Sequence, residues 1–203
     1  LIATYTRQAR AAGQQVTIVS SDKDLMQLVG DGVEMLDPMK NRRIGPSEVV
    51  EKFGVGPERV VDVQALAGDS TDNVPGVPGI GVKTAAQLIG DYGDLDSLLA
   101  RATEIKQPKR RQTLIDHAEM ARVSRELVRL RDDVEVPLAL HELVVQPPSD
   151  DTLLAFFKAQ SFKRLIARLE GEMAQGVGDP TGGEGAELAP DETAYELVQE
   201  LSL

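Results

Sequence analysis

The sequence predicts an α/β core that passes into a mostly helical region. Three observations carry this. An amphipathic stretch up to Gly13 runs into the β-branched run Val16-Thr-Ile-Val19, apolar residues beyond residue 80 recur at three and four spacing, and turn residues separate the segments. A helix followed at once by a β-branched strand is the beginning of an α/β unit with a buried, parallel strand.

The elements follow in order. Leu1, Ile2, Tyr5, Ala9 and Ala12 share helical spacing with no capping residue ahead of them, so the sequence is expected to open inside a helix. Ser21 to Asp24 can cap a short helix through Leu28, and Val33 to Leu36 with Arg43-Ile44 suggests a hairpin around Lys40-Asn41. Pro46 and Pro57 stand where first helical turns would start, ahead of Val49, Val50 and Phe53 and of Val60, Val61, Val63 and Leu66. Residues 82–90, 94–102, 109–130, 149–159 and 161–170 then read as helices, with Leu114, Ala121 and Val128 on one buried face. Six glycines and Pro180 between Gly171 and Gly185 favour a linker, and Tyr195, Leu197, Val198 and Leu201 restart an apolar pattern, as if a further domain followed.

Composition excludes several functions. The 203 residues include no Cys and two His, which removes disulfides, thiol nucleophiles, thiolate metal sites and a three-His zinc site. No stretch approaches the ~18 apolar residues of a membrane span. The net charge is −11, but residues 171–203 hold eight acids and no base, while residues 101–131 hold nine bases against four acids. An acidic whole therefore leaves room for a phosphate-facing surface.

Two motifs carry chemistry. Asp22 and Asp24 lie just beyond the strand, where ligands of open α/β sheets bind, and Asp69 and Asp72 are three apart, so that one helical turn would face both the same way. Clustered carboxylates without sulfur suit Mg²⁺ or Mn²⁺. Taken singly, Asp22 can cap the following helix and Asp69 a turn. The second motif runs from Val77 to Ile89. Gly79 and Gly81 permit positive φ and close backbone approach, Val82 opens a helix, and Lys83 and Thr84 add a charge and a hydroxyl. This helix-hairpin-helix pattern grips one phosphate without reading bases. The mononucleotide loop G-x-x-x-x-G-K-[ST] fails by one position, because Val82 intervenes between Gly81 and Lys83. Lys106, Lys109, Arg110 and Arg111 either add phosphate contacts or form a solvated helix start, and His117, without a partner histidine, reads as structural.

Ser20-Ser-Asp-Lys-Asp-Leu-Met-Gln-Leu28 and Ala67-Gly-Asp-Ser-Thr-Asp-Asn-Val-Pro-Gly-Val-Pro-Gly-Ile-Gly-Val-Lys-Thr-Ala85 closely resemble the 5′-nuclease domain of bacterial DNA polymerase I, a relative of the flap endonucleases. The likeness extends to about Glu170. It implies part of a PIN-like core over 1–56, a helical DNA-binding region with a helix-three-turn-helix element over 57–170, a flexible acidic linker over 171–194 and the start of a proofreading-exonuclease-like domain over 195–203. Asp22, Asp24, Asp69 and Asp72 match the family's metal-binding aspartates, and Gly76, Gly79, Ile80, Gly81, Val82, Lys83 and Thr84, with Lys109, Arg110 and Arg111, are the implied DNA contacts. The implied chemistry is phosphodiester hydrolysis with two Mg²⁺ or Mn²⁺ ions roughly 4 Å apart. A monovalent cation at the hairpin carbonyls is also implied. The implied substrate is duplex DNA with a 5′ end, flap or nick, bound without sequence preference by a cytoplasmic monomer with no membrane partner. One departure stands out: the family completes its metal centre with carboxylates and bases from the first half of the nuclease domain, which this sequence lacks. The expectation is therefore an enzyme in the parent protein, with DNA polymerase activity elsewhere in it, and weak binding with little cleavage by this stretch alone. A non-catalytic DNA-binding module and a stand-alone 5′ nuclease are the alternatives.

Overall fold

Helix α1 (Ile2–Ala11) turns at Gly13 into strand β1 (Val16–Val19) in the computed structural model, which describes residues 1–174. Its buried face is Ala3, Thr4, Thr6 and Ala9, while Leu1 and Ile2 are exposed, so the face differs from the one that apolar spacing selects. Strand β2 (Val33–Asp37) pairs parallel to β1, from Val16 with Val33 to Val19 with Leu36. Strand β3 (Arg42–Ile44) returns antiparallel through Asn41, which takes φ +47°, and places Met35 opposite Ile44. The sheet order is β1-β2-β3. The central strand alternates as a one-sided strand should, with Val33, Met35 and Asp37 buried. β1 corrects an expectation. It is parallel, but among the described residues it is an edge strand paired on one side only, so Ile18 alone is buried and Val19 is 62% exposed.

Helix α2 (Pro46–Phe53) starts on its proline and buries Val49 and Phe53. Pro57 opens a 3₁₀ turn rather than an α-helix, and α3 (Val60–Ala67) begins three residues later. α3 is covered on nearly all sides, with Val60, Asp62, Val63, Gln64, Ala65 and Leu66 buried. It packs against α4 (Val82–Tyr92) and α7 (Ala118–Val128), with α5 (Leu95–Ala100) and α6 (Pro108–Asp116) completing the layer. The expected helix over 109–130 is two helices, because His117 leaves helical geometry at φ −112°, ψ 20°. Leu114, Ala121 and Val128 are nevertheless all buried, since the break re-aims the chain without losing the face. One core runs from Ile18, Met35 and Phe53 through Val63 and Leu66 to Leu88, Leu98 and Leu114, so the boundary expected at 56/57 falls inside a continuous apolar interior. Each large side chain fully buried there contributes roughly 1.5–3 kcal/mol.

Residues 1–144 form one compact unit and a second begins at Val145. Within the second, Ser149 caps α8 (Asp150–Ala159) by accepting the Thr152 N–H, and α8 pairs with α9 (Lys163–Ala174). Phe156, Phe157 and Phe162 meet there in tilted and edge-to-face pairs with centroids 6.1 to 6.3 Å apart. α9 continues through Gly171 to Ala174, with Arg168 and Glu172 paired across it, so the linker does not begin at Gly171. The rest of the expected linker and the restart at Tyr195 lie outside the described residues. No helix among those described is long and apolar enough to cross a membrane.

Candidate active site

Beyond the end of β1 the Ser20 N–H still bonds Leu36, and the chain then turns away from the sheet at Asp22. Asp22 Oδ1 accepts the Asp24 N–H at 3.0 Å and caps the 3₁₀ turn Lys23–Leu28. The second pair of aspartates stands on a different device. α3 ends at Gly68, and the next residues form a closed loop in which Asp69 and Val74 exchange both backbone hydrogen bonds, at 2.9 and 2.7 Å. Asn73 takes φ +56° to close it, and Asp69 Oδ1 accepts the Thr71 N–H at 2.9 Å. This corrects the helical-turn expectation for Asp69 and Asp72, which share a loop instead.

The outcome is a convergence of three carboxylates. Asp24, Asp69 and Asp72 each offer an oxygen within 4.8 Å of the others. Asp22 does not belong to that group and makes the capping contact already described. Two residues that spacing did not reveal complete the surroundings. Gln64 Nε2 donates to Asp24 Oδ1 at 2.5 Å, and the Lys23 ammonium pairs with the buried Asp69. Lys23 is one signal that the sequence did offer, being the cation between two aspartates. Gln64, which with Asp62 is one of two polar residues in the buried helix α3, is the other.

The electrostatics follow from these contacts. Lys23 holds the Asp69 carboxyl below the usual carboxylate range, and Asp69 raises Lys23 in return. Burial pushes the Asp24 carboxyl up and the charges of Asp22 and Asp72 add to this, against the Gln64 hydrogen bond. Negative charge thus exceeds what the protein itself neutralises. Three carboxylate oxygens from separate backbone positions, with no nitrogen or sulfur donor, fit a hard divalent cation.

The glycine-rich hairpin adjoins this loop in sequence. Val77 N–H bonds Leu66 at 2.8 Å and Ile80 N–H bonds Val77 at 3.1 Å, which folds the hairpin back on α3. Gly76 and Ile80 are buried and their N–H groups are committed, Gly76's to Ser124 Oγ at 3.0 Å, so neither offers a donor to a phosphate. Of the backbone donors expected at the hairpin, these two are already used within the fold. At the tip, Gly79 takes φ +76°, whereas Gly81 is extended at φ −93° and caps α4 without needing the left-handed region expected of it. A Cβ added at either would meet nothing within 4 Å. Val82 and Lys83 are exposed and Thr84 is half-buried in the first turn of α4, where N–H groups have no intrahelical acceptor.

The basic segment is narrower than its composition suggests. Arg101, Arg122, Arg125, Arg129 and Arg131 pair with Glu104, Glu119, Asp96, Glu126 and Asp133. At the start of α6, Lys109 is exposed, Arg110 is half-buried, and Arg111 donates to the Ile105 carbonyl at 3.4 Å. His117 joins two helices, as a structural residue would.

Comparison with known proteins points the same way. The family model for the 5′-3′ exonuclease N-terminal resolvase-like domain matches residues 1–54, and that for the 5′-3′ exonuclease C-terminal SAM fold matches residues 55–151. DNA polymerase I of Rhizobium leguminosarum is 59% identical over 169 residues, covering 83% of this chain and 17% of that protein. DNA polymerase I of Bacillus caldotenax is 36% identical over 179 residues, covering 84% and 20%. The chain thus spans about a fifth of the length of these relatives. Among solved structures, zinc-bound T5 5′-exonuclease shares the fold with a TM-score of 0.59 at 24% identity, over 63% of this chain and 47% of that one. The catalytic core of Rad2 in complex with DNA substrate does so with 0.53 at 15% identity, over 82% and 60%.

Proposed function

Since the chain belongs to the 5′-3′ exonuclease family, we propose that it is the 5′-nuclease region of a bacterial DNA polymerase I, hydrolysing the backbone of DNA at 5′ ends, flaps or nicks. The observation that carries this reading is the convergence of Asp24, Asp69 and Asp72 within 4.8 Å on the same unit as an open-tipped phosphate hairpin. Asp24, Asp69 and Asp72 would hold Mg²⁺ or Mn²⁺, and Asp22 orients the turn that presents Asp24. When bound, such an ion polarises a phosphodiester and lowers the pKa of a water. Lys23 balances the charge of Asp69. The N–H groups at the start of α4 and the Lys83 ammonium hold a backbone phosphate, which gives grip without base recognition. Three carboxylates are enough for one ion, and the two-ion chemistry would need further ligands beside them.

The test uses the full-length protein carrying this sequence, a 5′-flapped duplex and Mg²⁺. Wild type should cleave near the flap junction. The double variant Asp69→Ala/Asp72→Ala should cleave slower by orders of magnitude and still bind the duplex, with some loss of thermal midpoint because the Lys23 pair and the hydrogen bond from the Thr71 N–H go with Asp69. Equal cleavage by the double variant would remove these residues from the mechanism. Duplex binding by wild type without metal-dependent cleavage would leave the non-catalytic DNA-binding module in its place.

A further inference from the structure

Ser124 lies on α7, fully buried, between Ala121 and Val128 on the face turned to α3. A serine inside a helix is a poorer helix former than alanine, and a buried hydroxyl is costly without a partner. Its partner is 48 residues away: Ser124 Oγ accepts the N–H of Gly76 at 3.0 Å. Gly76, at φ +62°, rests its backbone directly on Gly68, where an added Cβ would come within 2.4 Å of the Gly68 nitrogen. A Cβ at Gly68 would in turn meet the Val74 carbonyl at 2.8 Å and the Pro75 carbonyl at 2.9 Å.

This clasp is the shared root of two devices. The Asp69–Val74 loop hangs from Gly68 and carries two of the three convergent carboxylates. The hairpin leaves from Gly76 and is folded back through Val77 onto Leu66. The hydroxyl of Ser124 is the side-chain contact that locks the point where they join.

Resting on the nuclease reading above, we propose that Ser124 is a positioning residue: through Gly76 it fixes the spacing between the carboxylates and the hairpin, and so selects which phosphodiester of a gripped strand is cut. A nucleic-acid strand is a repeating target, with one phosphate per about 3.4 Å of duplex axis, so a clasp that loosens by that distance presents the neighbouring bond instead. Misplacement of reacting groups by about 1 Å already costs roughly 100-fold in rate. A device that grips a phosphate without reading bases takes no register from sequence, so the distance from grip to carboxylates contributes to it alongside the shape of the junction.

The experiment compares wild type, Ser124→Ala, Ser124→Thr, which keeps the oxygen, and Val128→Ala, which removes buried side-chain volume from the same helix but no hydrogen bond to Gly76. The full-length protein is given an end-labelled flapped duplex with Mg²⁺, and products are resolved to single nucleotides. Wild type and Ser124→Thr should give one dominant product. Ser124→Ala should spread cleavage over neighbouring bonds and lower kcat by about tenfold, with duplex affinity within about threefold of wild type, while Val128→Ala loses stability without spreading. In metal-free protein, amide hydrogen exchange at Gly76 and Val74 should accelerate by about tenfold in Ser124→Ala beyond any global change, and not in Val128→Ala. An unchanged single product at wild-type kcat in Ser124→Ala, equal spreading in Val128→Ala, or spreading in Ser124→Thr as broad as in Ser124→Ala would overturn the positioning role. Absence of metal-dependent cleavage by wild type would instead overturn the nuclease reading, while the exchange measurement still reports on the clasp.

Discussion

At the clasp between Gly68 and Gly76 the fold itself excludes a side chain, whereas at the hairpin tip, only a few residues on, Gly79 and Gly81 leave room for one. At the clasp, backbone meets backbone and every neighbour is rigid. At the tip the added carbon meets nothing within 4 Å, so Gly79 is favoured by its φ of +76° alone and Gly81 by neither space nor backbone conformation. The two regions separate folding from binding within one short motif. Substitutions at the clasp should act on stability through both conformation and collision, Gly79 at the tip through conformation alone, and Gly81 mainly on a ligand.

The largest expected effect is at Gly76. An alanine there must adopt φ +62°, which costs a non-glycine residue about 1–2 kcal/mol, and must push its Cβ into the Gly68 backbone 2.4 Å away. Gly76→Ala should therefore lose about 3 kcal/mol or more by urea denaturation. A loss below about 1 kcal/mol would mean that the clasp yields easily, and the contrast with the tip would collapse.

Gly79→Ala comes next. It faces the same conformational penalty at φ +76° but no collision, so the expected loss is about 1–2 kcal/mol, read in the same denaturation experiment. Gly81→Ala sharpens the comparison further, because its φ of −93° suits any residue. Only the poorer capping by alanine remains, a loss of no more than about 1 kcal/mol, while the proposed phosphate grip predicts that duplex affinity falls. Anisotropy titration with a flapped duplex checks this, and unchanged affinity would remove Gly81 from the contact surface.

The α/β beginning, the hairpin at Asn41 and the apolar face of Leu114, Ala121 and Val128 were legible because each rests on local spacing or on a turn residue. The site was legible in part. Aspartate content and position marked Asp24, Asp69 and Asp72, but a spacing of three fits a helical turn and a closed loop equally, and only the Asp69–Val74 pairing decides between them. Asp22 shows the same degeneracy, since a residue beyond a strand can serve a ligand or its own turn. What the sequence hid is contact at long range: Gln64 reaches Asp24 across 40 residues and Gly76 reaches Ser124 across 48. The break at His117 and the passage of α9 through Gly171 were hidden for another reason, since packing overrides weak local preference in either direction.

The smallest effect tests the tip without touching its backbone. Lys83 is exposed in the first turn of α4 and no ion pair holds it among the described residues, whereas Arg122, also exposed, is paired with Glu119. Removing either side chain should leave stability within about 0.5 kcal/mol, as for most surface changes. Their effects on duplex binding should differ. A phosphate contact releases counterions, so each one adds about 0.9 to the slope of log K against log salt. Lys83→Ala should therefore weaken binding at low salt and flatten that slope by about 0.9, uniformly across duplex sequences, because a contact to a phosphate reads no base. Arg122→Ala should leave the slope where it was, since its charge already has a partner and its loss removes no contact. Titrations of both variants at several salt concentrations decide the matter. Equal slopes for Lys83→Ala and wild type would place the phosphate grip away from the hairpin, and an equal flattening in Arg122→Ala would reduce it to diffuse attraction by net charge rather than a contact built on open glycines and one free lysine.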